Sequence, residues 1–147
     1  MTERVREIMS ILASESISVD HEKRKRIYFT VKPEQIRSIC QRLSSENLRL
    51  STMTAVESLR RFELIYHFSD DRTGYYFCPR VYTGLENPEV PSISNEIVGA
   101  SWIEREIHDL FGVAFHGHPD LKPLLKEDNE NIPELPLRVK RREEHVD

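Results

Sequence analysis

The sequence predicts an α+β domain: a mainly antiparallel sheet flanked by helices, continuing into an extended, charged C-terminal tail. Three observations predict it. Apolar stripes at helical spacing lie over residues 5–12 and 36–43. Three β-rich runs follow over 48–56, 62–68 and 75–82, and the last two alternate apolar and polar. Residues 126–147 are dense in charge and hold Pro133 and Pro136, with almost no apolar periodicity.

A chain of 147 residues suits one compact domain, here 1–125, with a peripheral segment, 126–147. Hydrophobic residues make up 38% and charged residues 31%, so part of the surface is expected to be solvated or covered by a partner. The net charge of −4 supplies no dominant basic field, which argues against nonspecific nucleic-acid binding. Cys40 and Cys78 lie far apart without a CxxC and are expected to be buried thiols of a reducing compartment. An iron–sulfur cluster ordinarily needs about four thiolates, so two cannot hold one alone. No apolar run approaches the roughly 20 residues of a membrane span. The N-terminal MTERVREIMSIL is amphipathic and lacks the continuous apolar stretch of a signal peptide.

Taken in order, Thr2 can cap a first helix, with Glu3 favoured in its first turn. Val5, Ile8, Ile11 and Leu12 form that helix's apolar stripe. Ser16–Asp20 and Ile27–Val31 form a hairpin around a charged turn, His21–Arg26, which reads as a solvated loop. Pro33 opens a second helix whose packing face is Ile36, Ile39, Cys40 and Leu43, fraying near Ser44–Asn47. In the next strands Phe62, Leu64, Tyr66 and Phe68 share a face, as do Tyr75, Phe77 and Val81. The loop Ser69–Gly74 makes these two strands an antiparallel hairpin. Pro88 and Pro91 fix an extended connection. Ser92 or Ser94 can cap a short helix over Asn95–Val98, which Gly99 ends.

The most unusual stretch is Ser101–Leu125, SWIEREIHDLFGVAFHGHPDLKPLL. Ser101 and Glu104 have the spacing of a capping box. Ile103, Ile107 and Leu110 share one helix face, Glu104 and His108 another, and Arg105 sits four residues before Asp109. Gly112 supplies a left-handed stop. His116-Gly117-His118-Pro119-Asp120 is a rigid polar turn, because Pro119 fixes its own φ and restricts His118.

Two chemical readings compete. His116, His118, Asp109 and Asp120 have side chains that suit zinc or iron, and a small metal-dependent enzyme would use the His116/His118/Asp120 turn. Glu104 and Glu106 lie two apart on a helix and point in different directions, which argues against a shared acid–base role. The plainer reading has Glu104 capping, Arg105 pairing with Asp109, and the turn held by its own hydrogen bonds, leaving a rigid polar surface. No Gly-rich phosphate loop and no G-x-S-x-G elbow occurs in the chain.

The order Glu104-Arg105-Glu106, Asp109, Leu110-Phe111, His118, Lys122, Leu124-Leu125 resembles the signature of the 30 kDa (C-type) subunit family of respiratory complex I and related membrane-bound energy-converting hydrogenases. The surrounding phrase W-x-E-R-E-x-x-D-L-F-G-V-x-F-x-G-H-P-D-L matches in order and spacing, and the likeness extends loosely back to about Leu48. The resemblance implies a subunit with no catalytic centre and no cofactor of its own, in a peripheral electron-carrying arm. Its implied partner is the large subunit, 49 kDa or NiFe-hydrogenase-like, beside iron–sulfur subunits, with the membrane arm reached indirectly. Iron–sulfur clusters, and in the hydrogenase branch a NiFe centre, would reside in those partners. On this view Glu104, Arg105, Glu106, Asp109, Leu110, Phe111, Gly112, His118, Pro119, Asp120, Lys122, Leu124 and Leu125 are structural and interface positions. The implied location is peripheral, on the cytoplasmic side of the cell membrane.

His108 stands where many quinone-reducing relatives have an aromatic residue. Pro136-Leu137-Arg138 is followed by Val139-Lys140-Arg141 without the aromatics of that branch. These departures point toward the hydrogenase or ferredoxin-linked branch. The tail is expected to lie along a partner, with Arg138, Lys140, Arg141 and Arg142 meeting acidic surface or lipid headgroups.

Overall fold

The computed structural model describes residues 2–15, 17–119 and 121. Helix α1 spans Glu3–Ser14, and the Thr2 hydroxyl accepts the Val5 amide at 3.4 Å, as the cap reading predicts. Its buried stripe is Val5, Ile8 and Leu12, with Ile11 half-buried at the margin. Strands β1, Val19–Lys23, and β2, Arg26–Thr30, make the first hairpin. The connection is tighter than the predicted loop over His21–Arg26. Only Arg24 and Lys25 turn, both left-handed, at φ 48° and 62°. The strands continue through charged residues because β1 is a sheet edge exposed along its whole length, where polar side chains stay solvated.

A 3-10 turn over Pro33–Gln35 leads into α2, Ile36–Ser45, which buries Ile36, Ile39, Cys40 and Leu43. The chain then enters β3, Arg49–Glu57, β4, Phe62–Ser69, and β5, Tyr76–Thr83. The five-stranded sheet has the order β1-β2-β5-β4-β3. Its neighbours are antiparallel except β2 and β5, which run parallel. The β4–β5 loop closes as read: the Asp70 carboxylate accepts the Thr73 hydroxyl at 2.8 Å, and Gly74 takes φ 76°.

Burial alternates along β4, with Phe62, Leu64, Tyr66 and Phe68 enclosed and the intervening residues half-exposed. Phe77 and Val81 of β5 join them, with Ile27 and Phe29 of β2 and the buried stripes of α1 and α2, in one core. Enclosing an aliphatic or aromatic side chain of this kind contributes about 1.5–3 kcal/mol. The opposite sheet face stays half-open and carries Tyr28, Tyr76, Arg80 and Tyr82.

Beyond the sheet, β6, Glu89–Pro91, and β7, Ala114–His116, pair in parallel, joined by α3, Ala100–Phe111. This is a small β-α-β unit packed against the main sheet, with Ile107, Val113 and Phe115 in the shared core. The short helix predicted over Asn95–Val98 does not form. A turn replaces it, with the Ile97 amide donating to the Ile93 carbonyl at 2.9 Å. Ser92, predicted as a cap, is engaged instead by a side chain of α3.

Candidate functional site

That side chain is Glu104. Helix α3 starts one residue before the predicted Ser101 cap, with Gly99 at the cap position and no side-chain cap bond. The capping box therefore does not form. Glu104 faces inward at 0% exposure. Its Oε1 accepts the Ser92 hydroxyl at 3.0 Å and the Ile93 amide at 2.9 Å. Ser92 Oγ in turn accepts the Ser94 amide at 3.1 Å, and the two hydroxyls meet at 2.8 Å. The carboxyl thus clasps the Pro91–Ser94 loop to the helix, satisfying backbone and hydroxyl donors that burial would leave costly.

The clasp sits in an apolar setting. Burial pushes the Glu104 carboxyl up to about 7, opposed by the Ser92 and Ile93 hydrogen bonds and aided by the nearby Glu96 carboxylate. Burial, with Glu104 adding to it, also raises the Cys40 thiol and the Tyr66 phenol well above their ordinary values. Among the described residues, Glu104 Oε2, Glu96 Oε2 and Tyr66 Oη are buried without a hydrogen-bond partner. The other Glu96 oxygen binds Arg37 at 2.8 Å.

The end of α3 follows the sequence. Gly112 is left-handed at φ 77°, and its amide donates to the His108 carbonyl at 2.9 Å. His108 Nδ1–H donates to the Val113 carbonyl at 2.7 Å, which fixes the exit toward β7. His116 then meets Glu89 Oε2 at 2.9 Å. His118 Nε2–H donates to the Ser101 carbonyl at 3.0 Å, so the chain after β7 folds back onto the start of α3.

The predicted site residues therefore separate. Glu104 and Asp109 point inward, at 0% and 4% exposure, and neither presents an outer face. Arg105 is half-exposed and lies over the Trp102 ring at 5.2 Å. Glu106 and Pro119 are exposed, while Leu110, Gly112 and His118 are half-buried. Phe111, also half-buried, packs edge-on against Phe62 at 5.7 Å. Asp120, Lys122, Leu124, Leu125 and the tail residues Arg138, Lys140, Arg141 and Arg142 lie outside the described residues. The two imidazoles of the H-x-H turn are held by different partners, Glu89 and Ser101. Among the described residues no group of three His, Cys, Asp or Glu side chains is placed to hold a metal ion.

Sequence reasoning missed Val98, in the turn before α3, and Trp102, in its first turn, which stand 85% and 59% exposed. The available signal was the chain's single Trp lying off the Ile103/Ile107/Leu110 face, four residues after Val98. It also missed the Glu104 clasp. Both cysteines are buried and free, as read. Burial pushes the Cys78 thiol up to about 11, and His67 Nδ1 lies 3.6 Å from its sulfur. Among the described residues no helix is long and apolar enough to cross a membrane.

The sequence and the fold both match known respiratory proteins. The family described as respiratory-chain NADH dehydrogenase, 30 Kd subunit, matches residues 29–144. A subunit of the NADH-quinone oxidoreductase of Rhodobacter capsulatus is 40% identical over 106 residues, covering 67% of this chain and 52% of that protein. The equivalent subunit of Sinorhizobium medicae is 43% identical over 67 residues, 46% of this chain and 33% of that protein. The chain thus spans a third to about half of these relatives' length. The fold is shared with a chain in the structure of the membrane-bound sulfane sulfur reductase, an archaeal respiratory membrane complex. That match has TM-score 0.76 and 24% identity, over 87% of this chain and 80% of that one. The chain belongs to the 30 kDa subunit family of the respiratory-chain NADH dehydrogenase, as its signature implied.

Proposed function

We propose that the chain is a non-catalytic peripheral subunit of a complex I-like membrane oxidoreductase. It docks on the 49 kDa or NiFe-hydrogenase-like large subunit and holds it beside the iron–sulfur subunits for electron transfer coupled to ion translocation. The clusters, and any NiFe centre, reside in those partners, and the assembly lies on the cytoplasmic side of the membrane.

The observation that supports docking is the ledge at the start of α3. Val98, in the turn before α3, and Trp102, in its first turn, stand exposed four residues apart, and Arg105 covers one side of the indole. Trp and Arg are the residues most enriched among those that dominate binding energy at interfaces. The ledge is rigid, because the Glu104 clasp and the His118 bond fix both sides of its helix. A rigid aromatic anchor loses little entropy on binding.

The test is affinity purification of the intact complex through a tag on this chain, comparing wild type with Trp102→Glu. The wild type carries a hydrogenase-like large subunit and iron–sulfur proteins. The variant keeps its thermal midpoint, since Trp102 is mostly solvated, but retains less than about a tenth of the large subunit, as a lost hot spot of about 2 kcal/mol or more implies. Normal retention by a folded variant refutes docking through this ledge.

A further inference from the structure

The half-open sheet face carries a second feature, remote from α3 in the sequence. At its β1–β2–β5 corner a cleft of about 300 Å³ is lined by His21, Lys23, Arg24, Arg26, Tyr28 and Arg80. The register explains the gathering. His21 is opposite Tyr28, Lys23 opposite Arg26, and Thr30 opposite Arg80, which places these side chains on one face. Four cations line the cleft and no acid does, although the chain as a whole carries −4.

Arg80 is neutralised internally. Asp20 holds it at 3.0 Å and Glu63 at 3.6 Å. Arg26 lies over the Tyr76 ring at 4.5 Å. Among the described residues, no carboxylate comes within 4.0 Å of the Lys23, Arg24 or Arg26 head groups. The turn adds an independent observation. Arg24 and Lys25 adopt φ 48° and 62°, where Asn-Gly is the low-energy choice. A cation kept in a left-handed position at an energetic cost points to use.

We propose that this cleft receives an acidic segment of another protein subunit, its carboxylates meeting Lys23, Arg24 and Arg26 over the Tyr28 ring. The concave shape and the Tyr28 ring in its lining suit individual side chains better than a flat lipid surface. The net negative chain would repel an extended polyanion at long range, while a short acidic segment feels mainly the local cations. The proposal rests on the chain's being a subunit of a larger assembly, but uses a surface separate from the α3 ledge.

The experiment uses the intact complex, purified through this chain, and a carbodiimide, which joins a lysine amine directly to a carboxylate in contact with it. The expected product links Lys23 to an Asp or Glu of another subunit, located by mass spectrometry. An Arg24→Glu/Arg26→Glu variant lowers that yield at least tenfold, while acetylation of the solvent-facing Lys32 is unchanged. A Lys23 link only to this chain's own carboxylates overturns the proposal, as does a Lys23 that stays unlinked and freely acetylated. Protection of Lys23 that appears only with anionic phosphatidylglycerol vesicles, without a protein link, assigns the cleft to lipid and also overturns it. If other subunits co-purify but the link is missing, this inference fails and the docking role stands. If none co-purifies, both fail.

Discussion

Glu104 Oε1 accepts the Ile93 amide at 2.9 Å, joining α3 to a loop 11 residues earlier in the chain. The same oxygen holds Ser92, so a single carboxyl organises the loop that leaves β6. Glu104→Ala strips two buried donors of their acceptor and leaves a hole. The expected loss is about 2–5 kcal/mol, from unsatisfied groups at roughly 1–3 kcal/mol each. Glu104→Gln retains an oxygen at the Oε1 position and should stay within about 1 kcal/mol of wild type below pH 5, where the acid is neutral in the folded chain. Urea titration of both variants checks the pair.

The same residue sets a pH dependence. Folding lifts its pKa from 4.5 to about 7, so between those values the folded chain holds a proton that the unfolded chain releases. Its contribution is therefore fully present below 4.5 and is lost as pH rises through about 7. Relative to Glu104→Gln, wild type should lose about 3 kcal/mol across that window, at 1.36 kcal/mol per unit. Thermal midpoints of both proteins at matched pH values measure the difference; parallel curves would remove the raised pKa from the account.

Tyr66 is fully enclosed, and its hydroxyl has no hydrogen-bond partner among the described residues. Tyr66→Phe removes that oxygen and keeps the ring packed in the core. Stability should be unchanged or rise by up to about 1 kcal/mol, because deleting an unpaired buried hydroxyl relieves its desolvation cost. Chemical denaturation decides it, and a loss above about 1 kcal/mol would show that the phenol is bonded in solution.

Gly112 closes α3 at φ 77°, where a side chain is strained. Gly112→Ala should cost about 1–2 kcal/mol. Hydrogen exchange should show the loss concentrated at the end of α3 and at His108 and Val113, whose contact depends on that turn.

Much of this fold was readable because its signals are periodic. Val5, Ile8 and Leu12 repeat at helical spacing, and Phe62 through Phe68 alternate, so burial followed directly. β1 was misplaced because an exposed edge strand needs no apolar alternation, and its charges resemble a loop. The role of Glu104 was hidden for a different reason. S-x-x-E is a local pattern, whereas the partners that matter lie on a loop brought close only by the parallel pairing of β6 and β7. The burial of Asp109 was hidden for the same reason, since helical spacing from Arg105 says nothing about which side faces the core. The family signature was legible as a string, but which of its positions face outward was not.

Strands β6 and β7 run the same way with a helix between them. Such an arrangement delivers the chain, after the second strand, to the end where that helix began. His118 marks the return by bonding Ser101 at the start of α3. The end of β7 and the start of α3 thus form one rim of the domain, closed by a hydrogen bond between residues 17 apart in the chain.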